Sequence, residues 1–320
     1  MKKRGLLGLL LAGVLALSAC SGSVADEAIM KIDGQDILKS EYMVYLYTTT
    51  QNFISVGGED VWTMDFEGQT ADELLQERTI ETLRTVIAAG KYAAENDVVL
   101  TDEMKTQTEQ AAESFFTQLS VEDAKKMNVD KKKLIPYMEA SYLYSLAYEA
   151  LAKECEVDEA GKEAYLAENQ ARIGTAYTKI AIDSILVDDE ATAKEASDKI
   201  KAGETFADVF AQYDVERDAE DLEDRTKTTL YQTQFLTSFG LEDVPAVGQV
   251  TEPILNGGKY FIVLVEGVTE PTEDEVKSIS DQEYISMLQT QYCEGRLAEL
   301  VAMQKVELVD AVLEGVESFH

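Results

Sequence analysis

The chain has 320 residues, 45% of them apolar, enough to bury a core in more than one domain. Its 61 acids against 28 bases give a formal charge of −33. That balance excludes a surface of clustered cations for phosphate, and with it a nucleic-acid partner. A single histidine, His320 at the last position of the sequence, removes most chemistry that needs an imidazole at a fixed place. A residue so placed is expected to be disordered. No Asp-x-Asp-x-Asp-Gly calcium loop is present, and neither a metal nor a cofactor is expected.

Residues 1 to 20 read MKKRGLLGLLLAGVLALSAC. Lys2, Lys3 and Arg4 precede an apolar run from Gly5 to Leu17, shorter than the roughly 20 residues of a membrane span. Leu17-Ser18-Ala19-Cys20 resembles a bacterial lipobox, in which cleavage falls before the cysteine and lipid joins its sulfur. Residues 1–19 are then a lipoprotein signal peptide and 20–27 a lipidated polar tether. Cys20 anchors the chain to the outer face of the cytoplasmic membrane, each buried CH₂ contributing about 0.8 kcal/mol. Cys155 and Cys293 remain. Outside the cytoplasm they are open to pairing, and two free buried thiols are the other reading.

Ala28 to Ile32 reads as a strand ending at the turn signal Asp33-Gly34. Ser40 is the expected N-cap of a helix through about Phe53, followed by broken chain around Gly57-Gly58. Leu75, Thr79, Leu83, Val86, Ile87 and Gly90 recur at helical spacing. Thr101 caps a helix to about Leu119, Lys131 to Glu154 is a long helix with a Tyr/Leu stripe, and Asp158 starts another. This half is helical with one small strand pair at most. From Ala176 the texture changes. Tyr177 to Val187 is an alternating β-branched strand, and a helix from Glu190 stops at Gly203. Thr205-x-x-Asp208 caps a helix that buries Phe206, Val209, Phe210 and Tyr213. Asp214 to Asp224 is charge-rich and expected to be a solvated loop. Asn256-Gly257-Gly258 turns a hairpin between Val250–Leu255 and Lys259–Glu266. After Pro271 helical spacing resumes through about Gln304, and Val306 to Val309 reads as a short strand.

The stretch Asp183-Ser184-Ile185-Leu186 and the segment VPAVGQVTEPILNGGKYFIVLVEGV, residues 244–268, resemble the opening and closing strands of a parvulin-type prolyl isomerase. With MKIDGQDILKSEYMVYL and AENDVVLTDEMKTQ ahead of them, the whole mature chain resembles the PrsA/SurA group of extracytoplasmic foldases. The resemblance implies a multi-domain α and α+β fold. A discontinuous helical chaperone domain (residues 28–173) carries an inserted parvulin-like α+β domain (174–268), and residues 269–320 supply a C-terminal helix packing back on the helical domain. It implies unfolded or exported polypeptides as partners. It leaves open whether the apolar face of the helical half is a groove or a homodimer contact.

The same resemblance places the family's two histidines at Ser184 and Phe261, and its central acid or cysteine at Glu216. Phe235 and Phe239 fall where aromatic and methionine side chains shape a proline pocket, with Phe261 beside them as a further substrate contact. An isomerase must bind the twisted amide better than either planar form, over a barrier of about 20 kcal/mol. Ser184 can still hydrogen-bond, whereas Phe261 cannot. Three function classes follow: a binding chaperone with a degenerate parvulin-like domain, an active isomerase, and a solute-binding lipoprotein. The last is disfavoured by the single β-rich unit.

Overall fold

The computed structural model describes residues 26–216 and 227–320. Cys20, the leader and most of the charge-rich loop after Asp214 lie outside the described residues. Two compact units result, one of residues 26–151 with Cys293–His320, the other Ala152–Tyr292.

In the first unit, β1 (Ala28–Ile32) and β2 (Gln35–Leu38) form an antiparallel hairpin. Asp33 and Gly34 take φ 51° and 82°, the two left-handed residues of a type I′ turn, which is why Asp-Gly suits it. β9 (Val306–Leu308) pairs antiparallel with the far side of β1, giving the order β2-β1-β9. Most of the rest of this unit is helical: α1 (Lys39–Gly57), α2 (Ala71–Glu95), α3 (Asp102–Gln118), α4 (Val121–Lys126) and α5 (Lys131–Glu154). The expected break after Gly57 holds a 3₁₀ turn, Glu59–Thr63, and a second small hairpin of β3 (Asp65–Phe66) and β4 (Gln69–Thr70). Thr70 and Glu73 close a reciprocal capping box on α2, and Thr101 and Ser120 cap α3 and α4. On α2, Leu75, Thr79 and Leu83 are buried, and Thr79 returns its hydroxyl to the Leu75 carbonyl at 2.7 Å. Leu75 and Leu83 meet Ile29, Ile37, Tyr42 and Leu46 in one core.

Ser40 is not the N-cap. β2 runs straight into α1, so Leu38 takes the cap position and offers no capping side chain. An acid from before β1 does the work instead. The Asp26 carboxylate accepts from the Ser40 N–H at 3.0 Å and from its hydroxyl at 2.5 Å. Next to it, burial and then the Asp26 charge raise the Glu41 carboxyl above its ordinary range, opposed by an N–H bond from Leu38. Between the unfolded and the folded pKa the folded chain therefore holds a proton that the unfolded chain has released. Stability from this group is fully present below the unfolded pKa and is lost as pH rises through the folded one. Glu41→Gln is expected to raise the melting temperature at pH 7, with the gain fading toward roughly pH 4 and below. A gain that persists unchanged at lower pH, in a melting series, would contradict this placement.

The second unit holds α6 (Glu159–Ala176), β5 (Lys179–Val187), α7 (Glu190–Lys201), α8 (Phe206–Tyr213), β6 (Thr228–Tyr231), α9 (Gln232–Phe239), β7 (Ile254–Asn256), β8 (Lys259–Thr269) and most of α10 (Glu273–Ala302). The four strands form one antiparallel sheet in the order β6-β5-β8-β7. Asp158, Asp189 and Thr205 each cap the helix that follows. Gly257 and Gly258, at φ 60° and 82°, make the tight turn of the β7–β8 hairpin. The expected strand from Val250 shrinks: Val250 makes one isolated bridge to Leu264, and pairing resumes at Ile254. α6 and α10 are joined by side chains, with Tyr284 donating to Asp158 at 3.2 Å and Tyr165 to Glu283 at 3.1 Å, while Arg172 pairs with Glu283.

Strand alternation divides the sheet into two faces. Ile180 and Ile182 on β5, with Val263 and Val265 on β8, pack against Phe235 and Phe239 of α9. Ile185 and Val187, with Ile262, pack on the other face against Ala193, Ala196 and Val209 of α7 and α8. Neither Cys155 nor Cys293 is in a disulfide; Cys293 is buried and donates to the Tyr148 carbonyl at 3.5 Å. Among the described residues no helix is long and apolar enough to cross a membrane.

Candidate functional site

β5 carries its neighbours unevenly. Residues Lys179 to Ile182 pair with β6 along one edge, and Lys179 to Val187 pair with β8 along the other. Among the described residues, the next anchorage on the β6 edge beyond Ile182 is at Leu186. Its N–H donates to Asp214 Oδ2 at 2.8 Å, and its carbonyl accepts from the Val215 N–H at 3.0 Å. Ser184 stands between these two anchorages, 5% exposed and opposite Val263. Its backbone N–H donates to Asp183 Oδ1 at 2.8 Å. The alternation of β5 puts the Ser184 side chain on the same face as Ile182 and Leu186, the face covered by α9.

The aromatic residues lie on that face too. Phe261 on β8 is opposite Leu186 and half-buried. Its ring meets Phe239 edge-on with centroids 5.9 Å apart, and Phe239 meets Phe235 at 5.3 Å. Phe235 is completely buried and Phe239 is 8% exposed. As folded, Phe235 offers no surface to a ligand, and Phe239 offers an edge. A proline ring seated between them would have to part a packed aromatic pair.

Glu216 lies where the chain leaves the Leu186 edge. Its N–H donates to Asp214 Oδ1 at 2.8 Å, and its carboxylate accepts from Lys259 Nζ at 3.2 Å. Lys259 also reaches Asp188 at 3.8 Å and stands two residues before Phe261 on β8. The side chains of Glu216 and Lys259 are 38% and 40% exposed, so this is a solvated rim pair contributing about 0–1 kcal/mol.

Asp214 corrects the expectation of a solvated loop from this position. It is fully buried, and its two carboxylate oxygens hold the N–H groups of Leu186 and Glu216. The loop's start is thereby tied to the sheet edge at the point where β6 has not yet begun. The available signal was its place directly after the aromatic face of α8 and before an apolar Val215. The acid-rich residues that follow masked it.

These groups bring Ser184, Phe239 and Phe261 to one face of the sheet and set Glu216 at its rim. Chemically the set offers a hydroxyl, a carboxylate paired with a lysine, and aromatic surface. Neither Ser184 nor Phe261 supplies a titratable ring, and turning an X–Pro bond needs stabilisation of a twisted amide rather than a nucleophile.

No protein-family model matches the chain. A curated foldase protein PrsA from Halalkalibacterium halodurans is 27% identical over 325 residues, spanning 98% of this chain and 87% of that protein. Another foldase protein PrsA, from Caldanaerobacter subterraneus subsp. tengcongensis, is 20% identical over 310 residues and spans 94% of each. Among solved structures, the foldase protein PrsA of Streptococcus pneumoniae aligns with 75% of this chain and 92% of its own, at 15% identity and a TM-score of 0.42. That score carries no argument by itself, and the fold rests on the topology described above. Over nearly its whole length, then, the chain is similar to the PrsA foldases, and its mixed helical and antiparallel-sheet architecture is the one that its motifs imply.

Proposed function

We propose that this chain is an extracytoplasmic folding factor, tethered to the membrane by lipid on Cys20, that binds unfolded exported polypeptides and does not turn X–Pro bonds. The single observation that carries the reading is the make-up of the site on an intact sheet. All four strands are present, yet the two places that the family resemblance gives to histidine hold Ser184 and Phe261, and Phe235 is sealed in the core. On this reading the unit keeps a parvulin-like sheet, and the polar groups it offers among the described residues are the Ser184 hydroxyl and the Glu216 carboxylate at the rim, Asp214 being committed to two backbone N–H groups. Contact with a client on this unit would fall on Phe261, the edge of Phe239 and Glu216.

The helical unit is assigned the chaperone role, and the formal charge of −33 favours encounter with basic unfolded chains, an attraction that salt screens.

Two measurements on the full-length chain test the reading. Aggregation of a reduced secreted protein is expected to be suppressed at a few-fold molar excess, more at low ionic strength. Exchange NMR on a short X–Pro peptide is expected to show the uncatalysed rate, tens to hundreds of seconds. An enhanced rate that Ser184→Ala removes would overturn the binding-only reading in favour of an isomerase. Unchanged aggregation would remove the chaperone role.

A further inference from the structure

His320, expected to be disordered, is docked. Its ring stacks on Trp62 with centroids 3.9 Å apart and planes 13° from parallel, and its Nε2 lies 3.0 Å from both Asp72 Oδ1 and Ser318 Oγ. Trp62 in turn stacks on Phe53. The residues leading to it follow the same surface. After β9, the Val309 N–H donates to the Ile29 carbonyl, a single turn α11 (Asp310–Leu313) forms, and Val312, Leu313, Val316 and Phe319 pack against the first unit's core. Phe319 meets Tyr47 edge-on at 5.2 Å, and Lys126 Nζ lies 4.7 Å from its ring centre.

The way this segment is held is sequence-tolerant. Lys126 donates to the Ser318 carbonyl at 2.5 Å and Lys39 to the Gly315 carbonyl at 3.3 Å, groups that any polypeptide offers. The ring contacts ask only for an aromatic face. The fit is also incomplete. A cavity of about 470 Å³ remains between the segment and the helices, bordered by Leu46, Leu75 and Gln76 on one side and Val316 and Glu317 on the other. Beside the strap's last ring, the Trp62 Nε1–H is buried without an acceptor, a donor a carbonyl would satisfy.

We propose that residues 315–320 are a displaceable strap over a peptide-binding groove of the helical unit, and that the groove's ligand is an extended segment of unfolded polypeptide carrying aromatic residues. The inference rests on the folding-factor reading and gives it a location. The ligand's backbone carbonyls take the places of Gly315 and Ser318 O beside Lys39 and Lys126, and its aromatic side chains take those of Phe319 and His320. Because the strap is part of the chain, it competes at an effective concentration in the millimolar range, so the groove is closed until a client outcompetes it.

The probe is a fluorescent synthetic peptide of residues 309–320, VDAVLEGVESFH, titrated into the full-length chain and into a variant ending at Glu314. Removing the strap is expected to tighten peptide binding by about tenfold or more. Trp62 is the chain's one tryptophan, so its emission is expected to change when the strap is removed and to revert when the peptide binds. Should the shortened chain fail to fold by circular dichroism, the double variant Phe319→Ala, His320→Ala keeps the length and is expected to show the same gain. Equal affinity of intact and strap-weakened chains, or Trp62 emission indifferent to the strap, overturns the proposal. Aggregation suppression by the intact chain decides the folding-factor reading separately. A strap-dependent peptide affinity without suppression keeps the groove and removes the chaperone, and suppression without strap-dependent affinity does the reverse.

Discussion

Phe235→Ala is expected to destabilise the second unit by about 3–5 kcal/mol. The ring is fully buried on an eight-residue helix whose only other buried side chain is Phe239. It packs against Ile180, Ile182, Val263 and Val265 from the two central strands. Truncation removes the contact that holds α9 to the sheet and leaves a cavity that a helix this short cannot close without shifting bodily. Urea unfolding followed by circular dichroism measures the loss. Trp62 lies in the first unit, so its fluorescence offers a separate reading of that unit during the same titration. A loss below about 1 kcal/mol would mean that the ring is not core, and would return Phe235 to a substrate-binding role.

The second large effect is at Asp214. Its side chain is buried and accepts from two backbone N–H groups, those of Leu186 and Glu216, both at 2.8 Å. Asp214→Ala leaves both donors without this acceptor, at about 1–3 kcal/mol each, and a total loss of about 2–6 kcal/mol is expected. Asp214→Asn keeps one carbonyl oxygen and turns the other position into a donor, so it should restore about half of the loss. The same unfolding series decides it, and an asparagine variant no better than alanine would show that the two bonds do not act as the tie described. The consequence reaches the candidate site. Asp214 fixes where the chain departs from β5, and so where Glu216 meets Lys259. The Glu216–Lys259 pair, solvated on both sides, cannot set that position alone.

Much of the architecture is written in short-range chemistry. Asp33-Gly34 and Gly257-Gly258 can turn two strands in two residues because both pairs accept positive φ. Thr101, Asp158 and Thr205 start helices because an oxygen at that position meets an N–H one turn on. Each of these needs only neighbours within a few residues, and each is where the sequence places it. The order of such signals carried the family resemblance as well.

Pairing across distance is another matter. Nothing near Ser40 says that Asp26 will take its N–H, and nothing near Val306 names β1 as its partner. Asp214 reads as one more acid in a charged run until the sheet edge brings Leu186 to it. Phe235 and Phe239 have the spacing of a pocket and of a core alike, and only the packing of α9 against β5 and β8 chose the core. His320 has no local reason to be ordered; Trp62 and Asp72 supply it from far along the chain. A residue's backbone preferences belong to it and its neighbours, so they are legible in the chain. Its burial and its partners belong to the surfaces that folding brings together, and those exist only in the tertiary structure.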